Sequence, residues 1–219
     1  MRTIRAVLFD MDGLLIDSER IGLRASVRAG KALGYPVDEA LAMQMLGLTR
    51  AGSAAKYRAA IPGMDVEAFY AAFTREMEDE IDRQGVPCMP GAQELLAWLQ
   101  ERGIPRVLAT STAQALADKR MERAGIARFL PLRVTGDDVA HSKPDPEIFL
   151  KAASLAAIDP EACLVLEDSV NGIRAGRAAG AVVGMVPDLT PYSDACAPYC
   201  DAVFRSLFEA KEWLMLHIG

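Results

Sequence analysis

The sequence is poor in the features that tie a protein to a membrane or to nucleic acid. Only 6% of its 219 residues are aromatic, and its longest glycine-tolerant apolar run, residues 178–186, is far too short to cross a bilayer. The formal net charge is −6, with no block of like charges, which argues against a nucleic-acid surface. We therefore expect neither a membrane span nor a nucleic-acid partner.

Histidine and cysteine are also scarce, which limits the metal and redox chemistry open to the chain. It has two histidines and four cysteines. Cys196 and Cys200 have a spacing that could suit a metal, but no second cysteine pair lies nearby, and reduced structural thiols are the better interpretation. The chain enters its first apolar run without the layout of a signal peptide, so we expect a cytoplasmic protein. We expect a monomer, with oligomerisation left open.

The composition is otherwise that of an ordinary globular protein, with 51% hydrophobic and 25% charged residues. The length suffices for one substantial core with a sizeable insertion, or for two modest domains. Short β-rich apolar runs alternate with amphipathic helical stretches, which predicts an α/β fold whose parallel sheet is covered on both faces. The predicted strands are residues 6–10, 106–110, 132–136, 163–167, 181–186 and 201–204.

Three helical stretches of this alternating part have clear signals. Residues 91–102 carry a leucine-rich stripe and are followed by Gly103, which predicts a helix end. Residues 145–157 are predicted to form a helix with Asp145 as its N-cap and Pro146 at its first helical position. Residues 170–179 are rich in glycine and alanine, which suits close packing of a helix against a sheet.

One long region breaks the alternation. From about residue 19 to residue 83 nothing has the pattern of a strand, and helices are predicted over residues 20–33, 38–46, 51–61 and 65–82. This region is therefore an all-helical insertion after the first strand, with borders in residues 14–18 and 85–91. Two connections into an insertion permit a hinged lid, and an immobile helical subdomain is the alternative.

Two aspartates follow the first apolar run of the chain. Asp10 and Asp12 are separated by one residue, and Gly13 then allows a sharp turn. If the run is a buried strand, Asp10 emerges at its carboxyl end, where open α/β sheets bind ligands. Residues two apart in an extended chain point the same way, so both carboxylates can face one small volume, where a proton or a cation must accompany them. On these residues alone, a simple acidic turn is equally open.

The ends of three later strands would deliver further polar groups to the same crevice. Thr110 and Ser111 end the second strand, where hydroxyls and helix N–H groups suit a phosphate, although a helix cap is the alternative. Lys143 lies in a rigid Ser-Lys-Pro-Asp-Pro segment and could pair with a carboxylate and a phosphate oxygen. Glu167 and Asp168 end the fourth strand, where two buried acids require a compensating cation.

Together these residues predict a ligand site with a defined chemistry. An oxygen-only cluster of carboxylates favours Mg²⁺ over zinc. A cation, a lysine and helix N-termini are what a phosphoryl group needs. The members of the predicted metal cluster are Asp10, Asp12, Glu167 and Asp168.

These segments resemble the four motifs of the haloacid dehalogenase superfamily, in order and over essentially the whole chain. The matching motifs are Asp10-Met11-Asp12-Gly13, then Thr110, Lys143 and Glu167-Asp168. The helical insertion resembles the type-1 cap of the branch that contains β-phosphoglucomutase, phosphoglycolate phosphatase and small sugar-phosphate phosphatases. Residues 12–19 and 166–172 are particularly similar to the sugar-phosphatase members.

The resemblance implies a role for each motif residue. Asp10 would attack phosphorus and form an aspartyl-phosphate, while Asp12 would protonate the leaving oxygen and then activate water. Asp10, the backbone carbonyl of Asp12 and Asp168 would hold Mg²⁺, with Glu167 supporting through water. The phosphoryl oxygens would be bound by Thr110, Ser111 and Lys143.

The same resemblance includes other reactions. Dehalogenases of the superfamily lack an acid two residues after the nucleophile, so Asp12 favours a phosphate ester. β-Phosphoglucomutase has a cap histidine and a cap lysine where this chain has Gly22 and Leu46, which weakens the mutase alternative, although Thr49 and Arg50 match its loop. A phospho-ligand-binding protein without activity is the non-enzyme alternative, and no catalytic position is missing to favour it.

The sequence therefore predicts two domains and one activity. A Rossmann-like α/β core comprises residues 1–16 and 86–219, and a helical cap comprises residues 17–85. The expected activity is Mg²⁺-dependent hydrolysis of a small phosphomonoester, with a sugar phosphate as the favoured class. Thr49 and Arg50 are expected to contact the substrate, and the cap side chains expected to set specificity are Met43, Leu48, Arg50 and Tyr57.

Overall fold

A computed structural model describes residues 3–219, which divide into two compact units. The first, termed the α/β unit, contains the described residues up to Ile16 and the segment Pro87–Gly219. The second, termed the helical unit, is Asp17–Val86. Each unit has a hydrophobic core of its own. Between residues 3 and 219, no helix is long and apolar enough to cross a membrane.

Within the described residues, the α/β unit has one parallel sheet of six strands. They are β1 (Ala6–Phe9), β2 (Arg106–Ala109), β3 (Leu132–Val134), β4 (Cys163–Glu167), β5 (Val182–Met185) and β6 (Ala202–Val203). Their spatial order is β3-β2-β1-β4-β5-β6, so β1 and β4 lie side by side at the centre. Every residue of both strands is buried, as expected for parallel strands covered on both faces. The predicted α/β class is confirmed.

Helices form the rest of the regular structure. Those of the helical unit are α1 (Ser18–Leu33), α2 (Glu39–Met43), α3 (Arg50–Ala60) and α4 (Val66–Gln84). Those of the α/β unit are α5 (Ala92–Glu101), α6 (Gln114–Arg123), α7 (Glu147–Leu155), α8 (Val170–Ala178) and α9 (Leu207–Met215). Short 3₁₀ turns lie at Ala127–Phe129, Gly136–Asp138, Pro160–Ala162 and Ala197–Tyr199.

The small residues of α8 allow it to pack closely on the sheet. A Cβ atom on Gly176 would lie 3.0 Å from Cγ1 of Val165 in β4 and 3.1 Å from Cγ2 of Val183 in β5. Such distances are tighter than ordinary van der Waals contact, so a larger residue would push the helix off the sheet. On the other helix of this layer, α7, Ile148 and Phe149 join the same core as β1 and β4.

Two helices differ clearly from their predicted bounds, and a third was not predicted. The helix expected to begin at Asp145 and Pro146 begins at Glu147, with Pro146 in the cap position. Asp145 stays outside because its N–H bonds to Ser142 O in a turn (3.1 Å), although its side chain still accepts from Glu147 N (3.0 Å). Helix α2 ends at Met43, before the left-handed Gly47. Helix α9 has no counterpart among the sequence predictions.

The helical unit is held by an apolar cluster and by ion pairs between α1 and α4. Tyr57 of α3 packs its ring 4.8 Å from that of Phe69 of α4. Arg24 and Arg28 of α1 both contact the carboxylate of Glu80 in α4, at 2.5 Å and 2.7 Å. These contacts fix two long helices against each other, as the amphipathic pattern of this region predicts.

The chain leaves β1 through a tight turn before the helical unit begins. Gly13 adopts φ +82°, which favours glycine, and its N–H donates to Ile16 O over 3.0 Å. Ile16 then forms an antiparallel bridge with Cys88, and Met89 N donates to Leu15 O over 3.0 Å. The two ends of the segment Asp17–Val86 therefore meet at one point of the α/β unit.

Candidate active site

The carboxyl ends of β1 and β4 bring three acidic side chains together. Asp10 follows β1, Glu167 ends β4, and Asp168 follows it. These residues are 8%, 1% and 3% exposed, and each offers a carboxylate oxygen within 4.8 Å of the others. The geometry brings together the side chains expected from the sequence because neighbouring parallel strands end at the same edge of the sheet.

Lys143 reaches into this acidic cluster from the segment before α7. Its Nζ donates to Asp10 Oδ1 at 2.5 Å, to Glu167 Oε1 at 2.7 Å and to the backbone oxygen of Ala109 at 3.0 Å. The ammonium also lies 4.9 Å from the centre of the Phe149 ring. Burial alone would lower the pKa of Lys143, but the charges of Asp10 and Glu167 outweigh burial and raise it. The lysine is therefore a fixed positive charge.

One lysine does not compensate the acidic cluster. The pKa of Asp10 is raised to about 8, chiefly by burial; the charge of Lys143 opposes the rise, and the charges of Glu167 and Asp12 add to it. The raised pKa means that Lys143 by itself does not fully stabilise the ionised form of Asp10. The cluster therefore fits an additional cation, which would favour the ionised form of Asp10.

The donor set also suits a divalent metal. Its atoms are carboxylate oxygens of Asp10, Glu167 and Asp168, and hard oxygen ligands are those preferred by Mg²⁺ and Ca²⁺. The side chain of Asp12 lies outside this set, unlike the expectation that both aspartate carboxylates share one volume with the cation, and a contribution through its backbone carbonyl stays a prediction. The residues present thus fit a bound metal ion.

Glu167 is held rigidly by its own neighbours. Its Oε2 accepts from Asp168 N (3.0 Å), Ser169 N (3.0 Å) and Ser169 Oγ (2.9 Å), while Oε1 faces Lys143. A Cβ atom on Gly172 would lie 1.8 Å from the carboxyl carbon of Glu167. Glycine at position 172 therefore makes the room that this carboxylate occupies.

The carboxylate of Asp12 has a different set of partners. Its Oδ2 accepts from Thr112 Oγ1 at 2.7 Å, and its Oδ1 accepts from Arg120 Nη1 at 3.0 Å. Sequence reasoning missed Arg120, because an arginine near the end of a helix is normally solvated. The available signal was its position, since Ala117, Arg120 and Met121 form one buried stripe of α6.

The second predicted motif lies between β2 and α6. Thr110 is 1% exposed, and its hydroxyl accepts from Thr112 N at 3.1 Å. The backbone of Ser111 passes close to Gly136, where a Cβ atom would lie 2.4 Å from Ser111 O. The side chain of Ser111 is exposed. Their contact with phosphate stays a prediction.

The residues expected to contact substrate from the helical unit have partners within that unit. Arg50 pairs with Glu67 at 2.9 Å and lies 4.5 Å from the centre of the Tyr70 ring. Thr49 Oγ1 caps α3 by accepting from Gly52 N at 3.1 Å. Met43 and Leu48 are exposed, whereas Tyr57 is buried in the apolar cluster. The geometry thus gives Tyr57 a packing role instead of the expected role in specificity.

A second acidic group supports the segment that carries Lys143. Glu147 accepts from the backbone N–H groups of Ala140 and His141, at 3.1 Å and 3.0 Å, and from Lys151 Nζ at 2.7 Å. The hydrogen bond from Lys151 is the main reason that the pKa of Glu147 falls to about 2. His141 and Asp145 also lie near this carboxylate. Its hydrogen bonds fasten the start of α7 to the preceding turn.

The fold and this site define a class of protein. It is the class of Rossmann-type α/β enzymes that carry carboxylates and a lysine at the carboxyl ends of the central strands. The profile of the haloacid dehalogenase-like hydrolase family matches residues 4–180. The chain belongs to this family, which generally uses a divalent metal ion, and the resemblance stated from the sequence is confirmed.

Particular relatives agree with the family assignment. The chain is 31% identical to the phosphorylated carbohydrates phosphatase of Thermotoga maritima, across 81% of this chain and 82% of that protein. It is 30% identical to the validoxylamine A 7'-phosphate phosphatase of Streptomyces hygroscopicus subsp. limoneus, across 98% of each. A solved structure of a candidate β-phosphoglucomutase from Thermotoga maritima has a TM-score of 0.81 and 29% identity, covering 97% of this chain and 99% of that chain.

These similarities identify the chain as an enzyme of a known reaction class. The two relatives that are similar in sequence are phosphatases of the family. The predicted enzyme class, phosphoric monoester hydrolase, is therefore confirmed.

Proposed function

We propose that the protein is a Mg²⁺-dependent phosphatase that hydrolyses a small sugar phosphate through an aspartyl-phosphate on Asp10. The observation that carries the proposal is Lys143 Nζ bonded to both Asp10 and Glu167 within a buried, oxygen-only cluster. A fixed cation at this place would stabilise the negative charge that develops on a phosphoryl group during its transfer. The names of the two phosphatases similar in sequence support the substrate class.

In the first step, an oxygen of Asp10 forms a bond to phosphorus, and the bond from phosphorus to the alcohol oxygen breaks. The electron pair of the broken bond stays on the alcohol oxygen, which takes a proton from Asp12. The products are the free alcohol and phosphorylated Asp10. Asp12 is available for this role because its side-chain oxygens lie outside the acidic cluster that would hold the metal.

In the second step, a water oxygen bonds to phosphorus and its proton passes to Asp12. The bond from phosphorus to Asp10 breaks, and its electron pair returns to the carboxylate. Inorganic phosphate leaves, and both aspartates are restored. The sum of the steps is hydrolysis of the ester by one water.

The remaining residues hold and orient the reacting groups. Asp10, the carbonyl of Asp12 and Asp168 would hold the metal, with Glu167 supporting it. When bound, Mg²⁺ supplies positive charge that offsets the negative charge of the phosphoryl oxygens. Those oxygens would also be bound by Lys143, Thr110 and Ser111, the first of which is already fixed at the cluster.

The helical unit is proposed to act as the cap, with residues 17–85 as its predicted span. Arg50 and Thr49 are proposed to contact the substrate, which the resemblance of their loop to that of the mutase branch supports. Gly22 and Leu46 replace the mutase histidine and lysine, so the proposal is hydrolysis, not transfer to a second hydroxyl.

The test is phosphate release by the purified protein from a panel of sugar phosphates, phosphoglycolate and nucleoside monophosphates, with and without Mg²⁺. We expect Mg²⁺-dependent release that is fastest with a sugar phosphate. Isomerisation of β-glucose 1-phosphate, assayed alongside, would point to the mutase. Binding of Mg²⁺ and sugar phosphates without any phosphate release would overturn the proposal in favour of a binding protein.

A further inference from the structure

Two side chains from outside the predicted motif positions hold the carboxylate of Asp12. Thr112 donates to one carboxylate oxygen at 2.7 Å, and Arg120 donates to the other at 3.0 Å. Because each oxygen has a donor, the carboxylate cannot turn about its terminal bond without losing a hydrogen bond. The terminal torsion of an aspartate is otherwise broad. Asp12 is therefore held in one orientation.

Arg120 occupies an unusual place for a charged residue. It lies in the last turn of α6 and is only 6% exposed. Arginine is almost never fully buried unless it is paired. Helical side chains lean toward the N-terminal end of their helix, and α6 starts just after the carboxyl end of β2. This direction allows a residue of the last turn to reach a carboxylate beside β1.

We infer that Arg120, assisted by Thr112, is a positioning residue that holds Asp12 where it can protonate the leaving oxygen. The inference rests on the proposed function, since it is there that Asp12 receives the acid role. An acid held in its working position needs no reorientation during the reaction, and small misplacements of catalytic groups are costly. A purely structural pair would instead affect only the stability of the turn after β1.

The two roles differ in how the rate depends on the leaving group. A sugar alkoxide is a poor leaving group and needs the proton of Asp12 as the bond from phosphorus to oxygen breaks. The leaving group of p-nitrophenyl phosphate is a stable anion at neutral pH and departs without that proton. Loss of Arg120 should therefore slow hydrolysis of the sugar phosphate much more than hydrolysis of p-nitrophenyl phosphate.

The experiment compares kcat/KM for a hexose phosphate and for p-nitrophenyl phosphate in the wild type, Arg120→Met and Arg120→Lys. This quantity reports the steps up to formation of phosphorylated Asp10, and so leaves out the later attack by water. We expect Arg120→Met to lower kcat/KM by about 30- to 100-fold for the hexose phosphate and by less than about 3-fold for the aryl phosphate. The expected size follows from general acid catalysis, which is worth about 10²–10⁴-fold in rate. Arg120→Lys keeps a donor and should recover part of the loss.

Arg123→Met is the matched control, because Arg123 is exposed on the same helix. It should leave both kcat/KM values unchanged. In a protein that already carries Asp12→Asn, adding Arg120→Met should lower kcat/KM for the hexose phosphate by less than about a further 3-fold. The effects of residues that act as a unit are not additive. If Arg120→Met does not fold, Thr112→Val removes the other donor and should give the same contrast between substrates.

Two results would overturn the inference. One is an equal loss of kcat/KM on both substrates, and the other is an undiminished effect of Arg120→Met in the Asp12→Asn background. Absence of phosphate release by the wild-type protein from either substrate would instead overturn the proposed function, and the inference with it. The wild-type assay therefore separates the two failures.

Discussion

At the scale of single residues, Asp10 is the most direct test of the chemistry. Asp10→Asn keeps the size of the side chain but replaces the attacking oxygen by an amide. We expect kcat to fall by at least about 10³-fold, because nucleophile replacements in enzymes commonly cost that much or more. Phosphate release gives the rate, and thermal melting should show a fold at least as stable as the wild type. Activity near the wild-type level would rule out Asp10 as nucleophile.

Gly172 shapes the acidic cluster without contributing a side chain to it. In Gly172→Ala the new Cβ would overlap the carboxyl carbon of Glu167, which lies 1.8 Å away and is held by four hydrogen bonds. Glu167 must then move. We expect the Mg²⁺ concentration for half-maximal activity to rise by about 10- to 100-fold, as for other disturbed supporting shells of metal sites.

Gly22→Ala is the control for that substitution. Gly22 lies within α1, and its Cβ would meet Phe73 at an ordinary 3.7 Å. Its Mg²⁺ dependence should match that of the wild type. If Gly172→Ala also leaves the Mg²⁺ dependence unchanged, the position of Glu167 does not govern metal binding.

The sequence predicted the acidic residues at the strand ends but missed Arg120 as a partner of Asp12. Asp10, Glu167 and Asp168 could be placed together because parallel strands end at one edge of a sheet. Arg120 could not, since its position depends on how far a long side chain of α6 reaches. Tyr57 was assigned to specificity because a helical pattern does not tell which aromatic faces the core of a small helical unit.

At the scale of elements, the pair α1 and α4 depends on one buried acid. Burial works against the charge of Glu80, but hydrogen bonds from Arg24 and Arg28 outweigh it and hold the pKa of Glu80 below its usual value. Glu80→Gln keeps the shape and removes the charge. We expect a loss of about 1–3 kcal/mol in the free energy of unfolding, measured by chemical denaturation at neutral pH.

The same substitution has a defined pH dependence. Because the pKa of Glu80 is lowered in the folded state, its contribution is complete above the unfolded pKa of about 4.3 and is lost as the pH falls through the lower folded value. The difference between wild type and Glu80→Gln should therefore shrink in acid. Glu67→Gln, in an exposed pair with Arg50, should cost less than about 1 kcal/mol at any pH. A difference that is constant down to strong acid would contradict the assignment.

Element types were easier to predict than element ends. All six predicted strands are present, because short apolar runs between turn signals leave little choice of structure. The predicted start of α7 was wrong because the N–H group of Asp145 bonds to Ser142 O in the preceding turn, which keeps Asp145 outside the helix. Helix α9 carries Leu207, Ala210 and Leu214 at helical spacing, a pattern that was overlooked after the last strand.

At the scale of the whole molecule, the two compact units can be followed by separate probes. Both tryptophans of the chain, Trp98 and Trp213, lie in the α/β unit, in α5 and α9. Tryptophan emission therefore reports the unfolding of that unit, whereas circular dichroism reports the helices of both.

Phe69→Ala uses this difference. Phe69 is 1% exposed in the core of the helical unit, and loss of a buried phenylalanine costs about 3–5 kcal/mol. We expect the circular dichroism transition to gain an early component in heat or urea, while the transition in tryptophan emission keeps its wild-type midpoint. Equal shifts of both probes would mean that the two units unfold as one.

The bridge between Ile16 and Cys88 gives the chain a natural pair of junctions. The segment Asp17–Val86 leaves and re-enters the α/β unit at this one place, so its removal would leave two ends ready to be joined by a short linker. Removal of this segment would leave β1, which leads into Asp10, and the strands beside β1 intact, because they all belong to the α/β unit. Under the proposed cap role, substrate choice becomes a transplantable property: a relative's helical segment could be grafted at residues 16 and 87 without altering the strands of the sheet.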